Sequence, residues 1–276
     1  MSLIDKTRLR IKRLNVSISK LRLFDTHCHL DFSVFSENVD LHIKLAQKSG
    51  VEKLLVPAIG PSNWQRVAQL AESYPALYFS LGFHPYFLSQ SSHSYIDQFE
   101  QALDNKHDKC LALGECGLDF AIDVDSKLQE SMFEVQIELA KKTALPLIIH
   151  SRKAHNRVLQ LLKKHHFNQG GILHAFSGSE QQARQFIDLG FKIGVGGIIT
   201  YPRANKTRLA ICALPIESLV LETDAPDMPL NGLQGKVNHP KYLPIIVQTL
   251  ALLRGQSEQS IAEALWENSH SLLFSL

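Results

Sequence analysis

The chain has 276 residues, 45% of them hydrophobic and 20% charged, proportions ordinary for a folded globular protein and unlike those of a disordered one. A formal net charge of +2 excludes a global basic field able to coat nucleic acid regardless of ends, so any such contact needs cations gathered at a cleft. No apolar run approaches membrane-spanning length and the N-terminal residues lack a secretory signal's apolar stretch, so a cytoplasmic protein without membrane contact is expected.

Residues 1–22 carry Lys6, Arg8, Arg10, Lys12, Arg13, Lys20 and Arg22 against Asp5, and read as a basic N-terminal extension, most simply a solvated tail. From there to residue 276 a single domain is expected, since barrels of alternating strands and helices commonly run at this length as one unit. Its first stretch reads LFDTHCHLD, with Asp25, His27 and His29 at alternate positions. On a strand these share one face, and Cys28 points the other way. The four cysteines, at 28, 110, 116 and 212, form no CxxC pair and read as buried apolar filler.

A helix is expected over 36–48, stopping at Gly50, and a β-rich run follows at 53–58. The pattern repeats with a helix over 62–74 and a strand over 76–82 leading to Phe83, His84 and Pro85. A helix over 94–106 precedes the strand CLALG at 110–114, which delivers Glu115. A long amphipathic helix over 126–143 is followed by a strand at 146–149 running into His150. Helix 155–164, strand 171–173 ending at His174, helix 180–189 and strand 191–195 continue the alternation. A helix over 204–212 comes before the last strand, SLVLE, which runs into Thr223 and Asp224, and two helices over 240–254 and 257–273 complete the wall.

Eight apolar strands alternating with helices imply a parallel sheet covered on both faces, and the expected fold is a closed (β/α)8 TIM barrel; an open doubly wound sheet is the alternative. The ring is preferred because His27, His29, Glu115, His150, His174 and Asp224 each follow a different or returning strand at its C-terminal end. Only closure brings such residues to a common centre. Neutral imidazoles suit zinc, carboxylates suit magnesium and manganese, and one carboxylate can join two ions about 3.5 to 4 Å apart. The expected cofactors are therefore two divalent metal ions, zinc, manganese or magnesium. His27, His29 and Asp224 are assigned to one ion, and Glu115 bridges to His150 and His174 on the other. Asp224 can also take the proton of an attacking water, which with Glu115 makes these the expected catalytic groups of a hydrolase.

The stretches DTHCHLD at 25–31, GFHP at 82–85, GECGLD at 114–119, LPLIIHSR at 145–152, LHAFSG at 173–178 and LETDAP at 221–226 resemble the TatD family of metal-dependent hydrolases, within the amidohydrolase-like barrels. The likeness runs from Leu23 to the C-terminus. It implies a two-metal site on the residues above and phosphodiester hydrolysis, typically a DNase able to act as a 3′-5′ exonuclease on DNA ends or oligonucleotides. It also implies a substrate contact for His84 and a phosphate contact for Arg152, whose guanidinium fork suits phosphate. In the loop GGIITYPRANK, Tyr201, Arg203 and Lys206 suggest a cleft lining of the chain's own, with Arg203 a substrate-binding candidate. Nucleic acid is the expected partner, and no obligate protein partner is evident. The competing readings are a carboxylic ester, lactone or amide hydrolase, including one for an aminoacyl-tRNA ester, and a non-enzymatic scaffold binding through its basic N-terminus.

Overall fold

Eight short strands form one sheet whose spatial order equals their chain order, every adjacent pair being parallel. They are β1 (Leu23–Asp25), β2 (Val51–Pro57), β3 (Leu77–Leu81), β4 (Cys110–Asp119), β5 (Leu147–Arg152), β6 (Gly171–Leu173), β7 (Phe191–Val195) and β8 (Leu219–Leu221). Hydrogen bonds just past the strand ends tie β8 back to β1. Thr26 donates from N (2.9 Å) and Oγ1 (2.8 Å) to the Leu221 carbonyl, and Asp224 N reaches the His27 carbonyl at 2.9 Å. The sheet is a closed (β/α)8 barrel. This computed structural model describes residues 21–274.

The wall is built by α1 (Val39–Lys48), α2 (Trp64–Ser73), α3 (Ile96–Asp104), α4 (Ser126–Thr143), α5 (His155–Lys164), α6 (Glu180–Ile187), α7 (Asn205–Ala213), α8 (Leu243–Arg254) and α9 (Glu258–Leu273). Each presents an apolar stripe to the strands; α4 buries Met132, Phe133, Ile137 and Ala140, and Asp125 caps its first turn by accepting from Leu128 N at 2.8 Å. A large apolar cluster fills the space between strands and helices. A second gathers Phe24, Leu55, Ala112, Ile148, Ile172 and Val220, one from each of six strands, with Trp266 and Leu273 of α9. This is the filled inner layer of a barrel, a packed floor beneath the loops rather than a pore. Among the described residues no helix is long and apolar enough to cross a membrane.

Most of the expected basic extension lies outside the described residues. Its last two positions pack on the barrel: Leu21 touches the core, and the Arg22 guanidinium sits 4.0 Å above the Trp266 ring while bonding Glu52 at 2.9 Å. The helix expected from residue 36 starts at Val39, because the Asn38 side chain accepts from Leu41 N at 3.1 Å and caps it there. The stretch expected as one helix over 94–106 divides into a 3-10 turn, Ser92–Tyr95, and α3.

The difference that matters for the site is in β4, which runs on to Asp119 instead of ending at Gly114. Glu115 is thus inside the strand, not at its end. Beyond it Cys116, Gly117, Leu118 and Asp119 pair with Ile149, His150, Ser151 and Arg152 of β5. Gly117 permits this: its φ is +129°, and a Cβ there would stand 2.1 Å from the His150 carbonyl oxygen. A Gly117→Ala variant should therefore lose more than about 1 kcal/mol of stability in urea unfolding. Gly60→Ala, whose added Cβ meets nothing within 4 Å, should unfold at nearly the wild-type midpoint.

Candidate metal centre

Glu115 stands at the middle of a ring of imidazoles supplied by four other strands. Its Oε2 lies 3.1 Å from His27 Nε2 and 3.7 Å from His29 Nε2. Its Oε1 lies 2.9 Å from His174 Nε2, 3.1 Å from His150 Nδ1 and 3.2 Å from His84 Nε2. Asp224 closes the first side, with Oδ1 3.6 Å from His27 Nε2 and 3.9 Å from His29 Nε2. The six residues singled out from the sequence therefore meet. The two oxygens of Glu115 face separate groups of histidines.

Rigid local structure aims these side chains. The His27 and His174 rings stack at 3.9 Å between centroids, 11° from parallel. His29 stacks on Phe32 at 4.6 Å. Asp224 has φ +58°, a left-handed conformation that Asp tolerates better than most residues, and its N–H is fixed to the His27 carbonyl. The turn before it is held by Asp25, which accepts from Thr223 N at 2.9 Å and from Thr223 Oγ1 at 2.6 Å. Thus β1 supplies two imidazoles and also positions the carboxylate coming from β8.

Protonation in this buried cluster is divided. Burial, helped by the charge on His174, drives His27 down to about 3, so it is a neutral imidazole. Burial opposes charge on His174 too, yet the carboxylates of Glu115, Asp224 and Glu222 raise it to about 10. Glu115 is fully buried, which favours its neutral form, but the surrounding imidazoles outweigh this and hold it well below the usual carboxylate range. Burial raises Asp224. His150 is raised because hydrogen bonds to Asp119 and Glu115 overcome its burial, while burial lowers His84.

The donor set fits divalent cations. His27 Nε2, on the cluster side, is buried and, among the described residues, makes no well-directed hydrogen bond even to Glu115 Oε2 at 3.1 Å, a state that a coordinate bond would relieve. Among the described residues three groups bring their ligand atoms within 4.8 Å of one another: His27, His29 and Asp224; His27, Glu115 and His174; and His84, Glu115 and His150. Imidazole nitrogen with carboxylate oxygen is the mixture that zinc and manganese accept. Because ligands must be deprotonated, a cation here competes with the proton on His174.

Three polar partners had no role assigned from the sequence, although each lies in a stretch singled out there and Asp25 was placed on the face of His27 and His29. Asp119, in GECGLD, has Oδ2 3.1 Å from His150 Nε2 and so orients that ring. Glu222, in LETDAP, is buried and accepts from Ala175 N at 2.6 Å, fixing the turn after His174; burial pushes its carboxyl up to about 8. Asp25 in DTHCHLD is the third, with its carboxyl raised by burial to about 7. All three were legible only as acids near candidate ligands.

The cluster forms the base of a cavity of about 550 Å³, lined further by Phe32, Tyr86, Phe87, Ser151, Arg152 and Ser177 among others. Arg152 is well exposed, its Nη1 3.9 Å from Asp119 Oδ2. Arg203 does not line this cavity; its guanidinium lies 5.1 Å over the Tyr201 ring, whose hydroxyl is tied to the Pro229 carbonyl at 2.6 Å. The expected substrate contact of Arg203 therefore lies beside Tyr201, outside the lining of this cavity.

The family model for TatD related DNases matches residues 24–274. This chain belongs to the TatD family of metal-dependent hydrolases. It is 46% identical over 252 residues to the uncharacterized metal-dependent hydrolase YjjV of Escherichia coli K12, covering 91% of this chain and 97% of that one. The crystal structure of the E. coli YjjV protein superposes with a TM-score of 0.88 at 45% identity, over 93% of this chain and 99% of that one. A Salmonella typhimurium protein named 3′-5′ ssDNA/RNA exonuclease TatD is 34% identical over 257 residues, 91% of this chain and 98% of its own. These TatD relatives span nearly their whole lengths on this barrel.

The tie between Asp25 and Thr223 can be tested apart from any chemistry. A Thr223→Val variant keeps the shape and the backbone donor but leaves Asp25 Oδ2 without its hydroxyl partner. It should be about 1 to 3 kcal/mol less stable in denaturant unfolding. An unchanged midpoint would show that the hydroxyl does not hold β8 to β1.

Proposed function

We propose that residues 23–276 act as one divalent-metal-dependent phosphodiesterase domain that removes nucleotides from DNA ends or single-stranded oligonucleotides, in the 3′-5′ direction. The observation that carries this reading is the split carriage of Glu115, whose two oxygens face different groups of imidazoles. His27, His29 and Asp224 would hold one cation and His150 and His174 the other, with Glu115 offering an oxygen to each group and His84 beside it. Bound there, two divalent cations would supply positive charge to the phosphate oxygens and lower the pKa of the attacking water. The naming of several relatives as 3′-5′ ssDNA/RNA exonucleases agrees with this substrate class.

The chain's own groups do the rest. Asp224 is within reach of the same centre as His27 and accepts the water's proton on its carboxylate, whose proton affinity burial raises. Arg152, whose nearest acid is too distant for a hydrogen bond, offers a planar fork to the phosphate. Asp119 keeps His150 turned toward Glu115. The attacking water forms the new P–O bond, the P–O bond to the ester oxygen of the chain breaks, and that oxygen takes up the proton held on Asp224 and leaves as a hydroxyl. All four cysteines are free thiols, in keeping with work in the reducing cytoplasm.

With magnesium, manganese or zinc, the purified protein should release mononucleotides from single-stranded DNA. Glu115→Gln should lower kcat by roughly 100-fold or more, since each tenfold corresponds to about 1.4 kcal/mol of lost transition-state stabilisation. Asp119→Asn should weaken metal affinity by about 10 to 100-fold, measured by titration with the metal. A protein that turns over carboxylic esters or aminoacyl-tRNA while leaving every phosphodiester intact would overturn this reading.

A further inference from the structure

Resting on the phosphodiesterase reading, we propose that Tyr86 and Phe87 form a stacking platform for the unpaired terminal base of the substrate strand, so that the cavity selects ends whose last base is free of its neighbours. Tyr86 is 61% exposed and Phe87 50% exposed. Among the exposed large apolar side chains of the described residues, these two alone line the cavity. Burying such rings is normally favourable, so leaving both open at a cavity mouth leaves apolar surface for a ligand to cover.

The platform is rigid. It is the 3-10 turn Pro85–Phe87, which directly follows His84. Tyr86 N donates to His84 Nδ1 at 3.1 Å, Phe87 N donates to the His84 carbonyl at 3.0 Å, and Leu88 is buried behind the turn. The two rings meet at 5.1 Å between centroids, 72° from parallel, and Phe87 packs at 5.7 Å against His84, whose Nε2 is 3.2 Å from Glu115. Rings fixed in advance lose little conformational freedom when a ligand stacks on them.

The same cavity also holds the exposed side chain of Arg152, 63% open to solvent. An exposed aromatic ring face, a guanidinium fork and a buried acid and imidazole cluster between them match one chemical class: a nucleobase joined through its sugar to a phosphodiester. Stacking tolerates any base because every base has a π face, so the platform reads whether a base is available rather than which base it is. In a duplex the terminal base is already paired and stacked and must be extruded first, which costs free energy. Single-stranded and frayed ends are therefore favoured.

Binding can be read without turnover, as the anisotropy of a 5′-labelled single-stranded tetranucleotide in EDTA. The double variant Tyr86→Ala/Phe87→Ala should raise Kd about tenfold, while Tyr86→Phe and Phe87→Trp, which keep the rings, should bind within about twofold of wild type. A tetranucleotide with an abasic 3′ residue should bind the wild type and the double variant alike, because it has no terminal base to stack. An unchanged Kd, or an equal loss on the abasic strand, overturns the platform. If this binding pattern holds and no phosphodiester is cleaved with any metal, the hydrolytic reading alone fails; cleavage without the pattern defeats the platform alone.

Discussion

One buried carboxylate organises this molecule. Glu115 is almost wholly shielded from water, where an isolated negative charge would be prohibitively unfavourable, and it is kept ionised by imidazoles from β1, β3, β5 and β6. No single strand or hairpin could supply them. A closed ring does so automatically, because all its strands point their C-terminal ends at the same axis. Closure in turn depends on the seam between β8 and β1, where Thr26, His27, Asp25 and Thr223 exchange hydrogen bonds. The strand that delivers two histidines is therefore also the one that positions Asp224.

Beneath the polar cluster the barrel is apolar and filled, and the sharp change from one layer to the other has consequences. Phe24 lies in the apolar floor, yet its neighbour Asp25 already belongs to the polar seam. Buried acids such as Asp25 and Glu222 are tolerated because backbone or hydroxyl donors meet them, and they fix the turns carrying Asp224 and His174. Above the cluster the lining turns aromatic and cationic, with Tyr86, Phe87 and Arg152 exposed at the cavity.

Much of this was legible in the sequence because period-two alternation and strand-to-helix rhythm are local properties. His27, His29, His150, His174 and Asp224 could be read as convergent since each ended or followed an apolar run, and the convergence carried Glu115 with them. The length of β4 was not legible. A strand that continues through Gly114 and Gly117 looks like a strand followed by a loop, and only the pairing of residues 116–119 with β5 shows otherwise. The roles of Asp119 and Glu222 were hidden for a different reason: they act on histidines distant in the chain, which spacing cannot reveal. The pairing of Arg203 with the Tyr201 ring was likewise invisible in the spacing of the loop that carries both.

The proposed function requires that Glu115 be shared between two cations. Anomalous diffraction from crystals soaked in manganese tests it most directly. Two peaks are expected, one on the side of Oε2 among His27, His29 and Asp224, the other on the side of Oε1 among His150 and His174. A single peak, or peaks that leave Glu115 untouched, would contradict it.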